Sequence, residues 1–237
     1  VYTAGSQIGE ALNIHRLLPQ KVGDQMPEQI TQFRNVTKKE AREIAVDYLH
    51  KVGLPKPQER VDSYPHELSG GQRQRVMVAI ALSCDPVMLI ADEPTTALDV
   101  SIEAQILDLM RELQENEDMA IMFITHNLGV VDEMAEDIIV MYMGKQVERA
   151  SAVDIFYEAK HPYTRALLKS IPHVGKKEKS RLASIKGMVP SPFNLPSGCV
   201  FHPRCPSFMP GKCDVIDPKW QAVDEDHWVR CLLYEEV

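Results

Sequence analysis

The chain has 237 residues, 44% of them hydrophobic, and a net charge of −8. That size and apolar content suit one full domain plus an appendage, and the acidic balance argues against a broad nucleic-acid surface, so no nucleic-acid partner is expected. No apolar run reaches the roughly 18 residues of a membrane span and no signal-peptide pattern is visible, so a cytoplasmic protein is expected, linked to any membrane only through partner subunits.

Residues 1 to about 63 are helical in character. Thr37-Lys38-Lys39-Glu40 reads as a capping box, and Ala41, Ile44, Ala45, Tyr48, Leu49 and Val52 form one apolar face that Gly53, Pro55 and Pro57 bring to a stop. Next comes Leu68-Ser69-Gly70-Gly71-Gln72. Ser69 is a good N-cap, the two glycines allow backbone N–H groups to approach an anion, and the following Val76, Ala79, Ile80, Ala81 and Leu82 are apolar on more than one side of a helix. A hydroxyl, bare amides and a helix N-terminus aimed at one point suit a nucleotide's terminal phosphate.

After Asp85-Pro86, the continuous apolar run Val87 to Ala91 predicts a strand buried on both faces, closed at its carboxyl end by Asp92 and Glu93. Doubly wound sheets place ligands at that end of their strands. Ile102, Ile106, Leu109, Met110 and Leu113 then recur at helical spacing, with Ser101 as the expected cap and an end near Asn116. A second buried-strand pattern, Ile121 to Thr125, ends at His126, so two adjacent strands would deliver Asp92, Glu93 and His126 to one edge of a sheet. Asn127-Leu128 opens a further helix, Ile138–Tyr142 and Lys145–Glu148 flank Met143-Gly144 as a hairpin, and Ala152–Phe156 starts a short helix.

These motifs carry a resemblance. Leu68 to Gln72 resembles the signature of ATP-binding-cassette (ABC) ATPases, Val87 to Glu93 the Walker B strand, Ala97-Leu98-Asp99 the D-loop, and Thr125-His126 the switch histidine. The fold so implied is α/β, a partial P-loop NTPase core with a helical subdomain and a small Cys-rich C-terminal extension. Residues 1–85 would be the helical subdomain with the signature, 86–160 the remaining ATPase core, and 161–237 the extension. The resemblance implies ATP and Mg²⁺ as ligands, with Asp92 holding the metal through water, Glu93 as general base and His126 contacting the γ-phosphate. Ser69, Gly70, Gly71, Gln72 and Asp99 would act on nucleotide shared with a second ABC ATPase subunit in a head-to-tail dimer. Phosphoryl transfer depends on such positioning and charge stabilisation more than on covalent chemistry. The pattern G-x-x-x-x-G-K-[ST] is missing: Gly144-Lys145, Gly175-Lys176 and Gly211-Lys212 each lack the upstream glycine and the following Ser or Thr. The chain begins at Val1, and Val1 to Glu10 looks like the stretch just after the family's Q-loop. The expectation is a fragment without the P-loop, inactive as an ATPase by itself.

The tail narrows the resemblance. His161-Pro162-Tyr163-Thr164-Arg165-Ala166-Leu167-Leu168 is similar to the C-terminal extension of oligopeptide, dipeptide and nickel importers. This implies a peripheral subunit on the cytoplasmic face of the membrane that energises peptide import through transmembrane permease subunits, with dipeptide, oligopeptide or nickel cargo left open. Long coiled-coil insertions or basic surfaces would mark a DNA-repair or chromosome-organising ATPase, and neither is present. A polar, Pro-rich connector follows, with Lys176–Lys179 and Pro190-Ser191-Pro192. Cys199, Cys205, Cys213 and Cys231 are spaced C-x5-C-x7-C-x17-C, while Cys84 stands alone in an apolar helix and reads as core. Four thiols in a short loop-rich segment of a cytoplasmic protein favour metal over disulfides, and the absence of a CxxC pair makes a zinc ribbon less natural. The importer resemblance, through Phe201-x-Pro203-Arg204-Cys205-Pro206, implies a [4Fe–4S] cluster, with Zn²⁺ or unliganded thiols as alternatives.

Overall fold

The structure is a computed structural model that describes residues 21–96, 98–171 and 185–235. The Val1–Glu10 stretch, Ala97 of the D-loop motif and Lys176–Lys179 of the connector lie outside the described residues. The chain divides into two compact units, the first ending at His126 and the second beginning at Asn127.

The first unit begins with helices α1 (Val22–Phe33), α2 (Lys38–Lys51), α3 (Pro57–Arg60) and α4 (Gly70–Leu82), followed by β1 (Met88–Asp92), α5 (Val100–Glu117) and β2 (Ala120–Ile124). At the start of α2, the Glu40 N–H donates to Thr37 Oγ1 (3.3 Å) and the Thr37 N–H to Glu40 Oε2 (2.7 Å), the reciprocal arrangement expected of the capping box. Its other end is a Schellman turn: Gly53 sits at φ +67°, and the N–H groups of Gly53 and Leu54 donate to His50 and Leu49 (2.9 and 3.0 Å). Ala41, Ala45, Tyr48 and Leu49 form the buried stripe of α2, which packs on α1 and α4. Arg75 of α4 donates from Nη1 to the Val52 carbonyl (2.6 Å). Asp85, just after α4, pairs with Arg34 and accepts from Tyr48 OH. The helices of this unit are thus tied at both ends of the signature helix.

Strands β1 and β2 are parallel, with Met88 opposite Ala120 and Asp92 opposite Ile124. Leu89 and Ala91 are buried, whereas Val87, Met88, Met122 and Ile124 are exposed. Burial on both faces, expected from the unbroken apolar runs, is therefore not found. Among the described residues the pair has packing on one side only, and side chains alternate between that side and solvent. The cap of α5 also differs from expectation. Asp99, in extended backbone at φ −75°, accepts the Ile102 N–H (3.0 Å) and starts the helix, so Ser101 falls in its first turn. Two good capping residues stand close together, and the one whose backbone lies outside the helix takes the role.

The second unit holds α6 (Leu128–Met134), β3 (Asp137–Tyr142), β4 (Lys145–Ser151), α7 (Ala152–Glu158), α8 (Pro162–Lys169), β5 (Gln221–Asp224) and β6 (His227–Val229). The strands form an antiparallel sheet in the order β3-β4-β6-β5. Met143 and Gly144 both have positive φ (+49° and +76°), which suits the two-residue turn of the β3–β4 hairpin. Ile138, Val140, Tyr142 and Val147 of the hairpin share a core with Ile155, Val200 and Phe201. The Phe201 ring meets the Tyr142 and Tyr163 rings edge-on, each at 5.3 Å between centroids. His161 caps α8, its Nδ1 accepting the Tyr163 N–H (3.0 Å), and Pro162 occupies the first turn. The His-Pro-Tyr segment is thus a helix start followed by a core aromatic. β5 and β6 were not expected from the sequence.

Candidate functional site

The site grows from the carboxyl ends of β1 and β2. Register places Asp92 beside Ile124, and the Glu93 N–H extends the ladder one step by donating to the Ile124 carbonyl (2.8 Å). Glu93 then turns sharply at φ +47°, a left-handed backbone that residues with a side chain seldom adopt. Pro94 follows, and the Thr96 N–H closes the turn on the Glu93 carbonyl (3.1 Å). The strand alignment brings His126 to Glu93, with 2.9 Å between His126 Nδ1 and Glu93 Oε1. An ionised carboxylate only accepts, so Nδ1 carries the proton and Nε2 keeps its lone pair when the ring is neutral. The Thr96 hydroxyl donates to the other oxygen, Glu93 Oε2 (2.8 Å). The Thr96 hydroxyl first and His126 second hold the Glu93 carboxyl below the ordinary carboxylate range. The three predicted residues of this edge are exposed, Asp92 included. An exposed carboxylate at a strand end fits Mg²⁺, which takes few protein ligands and keeps waters or phosphate oxygens for the rest.

The signature turn lies in the same unit. Ser69 Oγ accepts the Gln72 N–H (3.3 Å), and Gln72 Oε1 accepts the Ser69 N–H (3.1 Å), so both side chains are engaged in a capping box at the start of α4. A second reason for glycine emerges here. A Cβ on Gly71 would lie 2.7 Å from Ile102 Cγ2 at the start of α5, whereas one on Gly70 would meet Leu98 at an ordinary 3.6 Å. Gly71 therefore permits close helix packing in addition to any approach of an anion. Asp99, expected as the D-loop acid, is engaged as the cap of α5.

The cysteines tell a different story. All are free thiols, with Cys213 and Cys231 buried and Cys199 and Cys205 half-buried. The Cys199 N–H donates to the Cys213 carbonyl (2.8 Å), which draws their two turns together. Burial pushes the thiols of Cys199 and Cys205 up and that of Cys231 to about 12, with smaller contributions from neighbouring cysteines. Among the described residues, however, no three His, Cys, Asp or Glu side chains gather as a group able to hold a metal ion. The expected cluster at Cys199, Cys205, Cys213 and Cys231, iron–sulfur or zinc, is thus not supported.

Sequence reasoning overlooked Thr96, and it read Ile102 only as part of the packing stripe of α5 without its contact to the Gly71 position. A threonine three residues after Glu93, with proline between them, is a turn signal that could have pointed to the first. No helix among the described residues is long and apolar enough to cross a membrane.

Comparisons with known proteins fit this geometry. Residues 6–96 match the ABC transporter family, and residues 147–213 match the oligopeptide/dipeptide transporter C-terminal region. The chain is 52% identical over 215 residues to the oligopeptide transport ATP-binding protein AppD of Bacillus subtilis, a match covering 91% of this chain and 65% of that protein. It is 44% identical over 230 residues to the dipeptide transport ATP-binding protein DppD of Escherichia coli, covering 97% of this chain and 64% of the relative. The chain thus spans just under two thirds of the length of these relatives. Among solved structures, a bacterial ABC transporter cassette in dimeric form is 28% identical with a TM-score of 0.50, covering 57% of this chain and 59% of that one. The cbiO1 protein of Clostridium perfringens, part of the ABC transporter complex cbiONQ, is 26% identical with a TM-score of 0.53, covering 61% of this chain and 56% of its own. Strand ends carrying Asp92, Glu93 and His126, a capped glycine turn before α4 and these two family matches lead to one assignment: the chain belongs to the ABC transporter ATPases, in the group that carries the oligopeptide/dipeptide transporter C-terminal region.

Proposed function

We propose that this chain is part of the ATP-hydrolysing subunit of an ABC importer of peptides. One observation carries the reading: parallel strand ends hold the Glu93 carboxylate and the His126 imidazole 2.9 Å apart, with Asp92 alongside. Glu93 accepts a proton from the attacking water, its remaining lone pairs being open to solvent. His126 is anchored to Glu93 through its Nδ1–H, and in the protonated ring its Nε2–H would donate to a γ-phosphate oxygen. Asp92 would hold Mg²⁺, which screens the charge of the phosphates when bound. Ser69 and Gln72, already locked together, present the N-terminus of α4 and the amides of Gly70 and Gly71 to nucleotide bound on a second, homologous ATPase subunit. The dimeric cassette among the similar structures supports pairing of two such subunits.

In this reading residues 1–85 relay motion to transmembrane permease subunits, residues 86–160 carry the hydrolytic edge, and residues 161–237 form the extension. The relatives' names support peptides, dipeptide or oligopeptide, as cargo, and the reading places the subunit peripherally on the cytoplasmic face of the membrane. In the full-length subunit, Glu93→Gln should keep ATP binding and trap nucleotide in a closed dimer. Retained ATP and dimer mass after gel filtration check this, and a monomeric, nucleotide-free variant under saturating Mg-ATP would count against it.

A further inference from the structure

We propose that Thr96 is a positioning residue for Glu93, its hydroxyl fixing the carboxylate in the orientation that also engages His126. The inference rests on the reading of Glu93 as the group that activates water. A glutamate has three rotatable side-chain bonds, and Glu93 is exposed, so no packing holds its end in place. Two hydrogen bonds do so instead, one per oxygen: Thr96 Oγ1 to Oε2 at 2.8 Å and His126 Nδ1 to Oε1 at 2.9 Å. His126 is itself exposed, with its side chain 82% accessible, and makes the weaker anchor. Thr96 is delivered by a stiff turn. Glu93 is fixed at φ +47° by its strand bond to Ile124, the ring of Pro94 locks the next φ, and the Thr96 N–H closes on the Glu93 carbonyl at 3.1 Å. Backbone and hydroxyl of one residue thus clasp backbone and carboxylate of another. A carboxylate has about four acceptor positions. The clasp and the histidine use one on each oxygen and leave one on each for water.

The test compares Thr96→Val, Thr96→Ser and Glu93→Gln in the full-length subunit. Val keeps the shape and removes the hydroxyl; Ser keeps the hydroxyl. Thr96→Val should lower kcat for Mg-ATP about tenfold with KM within about twofold, since a misplacement near 1 Å can cost up to about 10²-fold in rate. Thr96→Ser should recover kcat to within about twofold, an outcome that a purely structural turn residue does not require. A second readout needs no turnover: three-bond couplings of the Glu93 side chain in nucleotide-free protein should report one rotamer in wild type and Thr96→Ser and averaging in Thr96→Val. Wild-type kcat in Thr96→Val, with Glu93→Gln inactive, would overturn the inference, as would an unaveraged Glu93 rotamer in Thr96→Val. A wild-type subunit that does not hydrolyse ATP overturns the functional reading instead, and the couplings then decide the role of Thr96.

Discussion

Among the described residues, each of the two units contains a glutamate–histidine pair of nearly the same length, and their surroundings are opposite. Glu93 and His126 stand 2.9 Å apart at the strand ends, with side chains 44% and 82% accessible. Glu148 and His227 stand 2.8 Å apart with side chains 0% and 3% accessible. The buried carboxylate also accepts the backbone N–H groups of Lys160 and His161, so β4, β6 and the start of α8 converge on it. An exposed pair adds little to stability and is free to exchange partners. A buried pair with every oxygen committed is a structural clamp whose disruption leaves orphaned polar groups. Under the proposed function, the same two residue types serve chemistry in one place and architecture in the other.

The largest effect that would break this contrast is at Glu148. Glu148→Ala should destabilise the second unit by about 3–5 kcal/mol, the cost of leaving a buried partner and two N–H groups unpaired. Denaturant unfolding followed by tryptophan fluorescence suits this test, because Trp220 and Trp228 stack beside β6 at 6.3 Å. Glu93→Gln should leave the same curve in place, and equal shifts for the two variants would erase the distinction.

His161 sharpens the picture next. It is buried and neutral, accepting the Tyr163 N–H on Nδ1 and hydrogen-bonded to the Arg230 backbone, and burial pushes its pKa down to about 4. The unfolded chain therefore takes up a proton near pH 6.5 that the folded chain refuses until about pH 4. Stability from this group is whole above the unfolded value and drains away as pH falls through that window, by about 3 kcal/mol in total. Urea midpoints measured across the window should fall with pH in wild type. His161→Asn, which still offers a capping oxygen, should flatten the slope; an unchanged slope would remove His161 from the account.

A smaller effect is expected at the signature turn. Gly71→Ala forces a methyl toward Ile102 and should cost about 1–3 kcal/mol, as overpacking does, while Gly70→Ala should be tolerated. Adding Ile102→Ala to Gly71→Ala should recover part of the loss in a double-mutant cycle. Full additivity would show that Gly71 and Ile102 do not share space.

Much of this molecule is readable from local pattern, and the exceptions have a common cause. The Thr37–Glu40 box, the Ser69 cap, the Gly53 stop and the Met143-Gly144 turn are decided within a few residues, so sequence suffices. The alignment of Glu93 with His126 follows from two short apolar runs that each end in a polar residue. Long-range facts are different. Nothing near Glu148 marks it as buried, because its histidine partner lies 79 residues away. β5 and β6 are short and carry polar residues at Gln221, Asp224 and His227, so their strand character comes from pairing, β6 with β4 and β5 with β6. The cysteine spacing suggested a shared ligand set; the thiols lie near enough to raise one another's pKa, yet among the described residues no group able to hold a metal ion forms. Continuous apolar strands suggested two covered faces, and the described residues supply one.

In the proposed function the exposed pair at the strand ends performs hydrolysis. Its most direct test is the steady-state Mg-ATP hydrolysis rate of the full-length subunit with and without Glu93→Gln. Loss of a positioned general base should slow turnover by about 10²–10⁴-fold while the fold stays intact. Turnover at the wild-type rate in that variant would contradict the account.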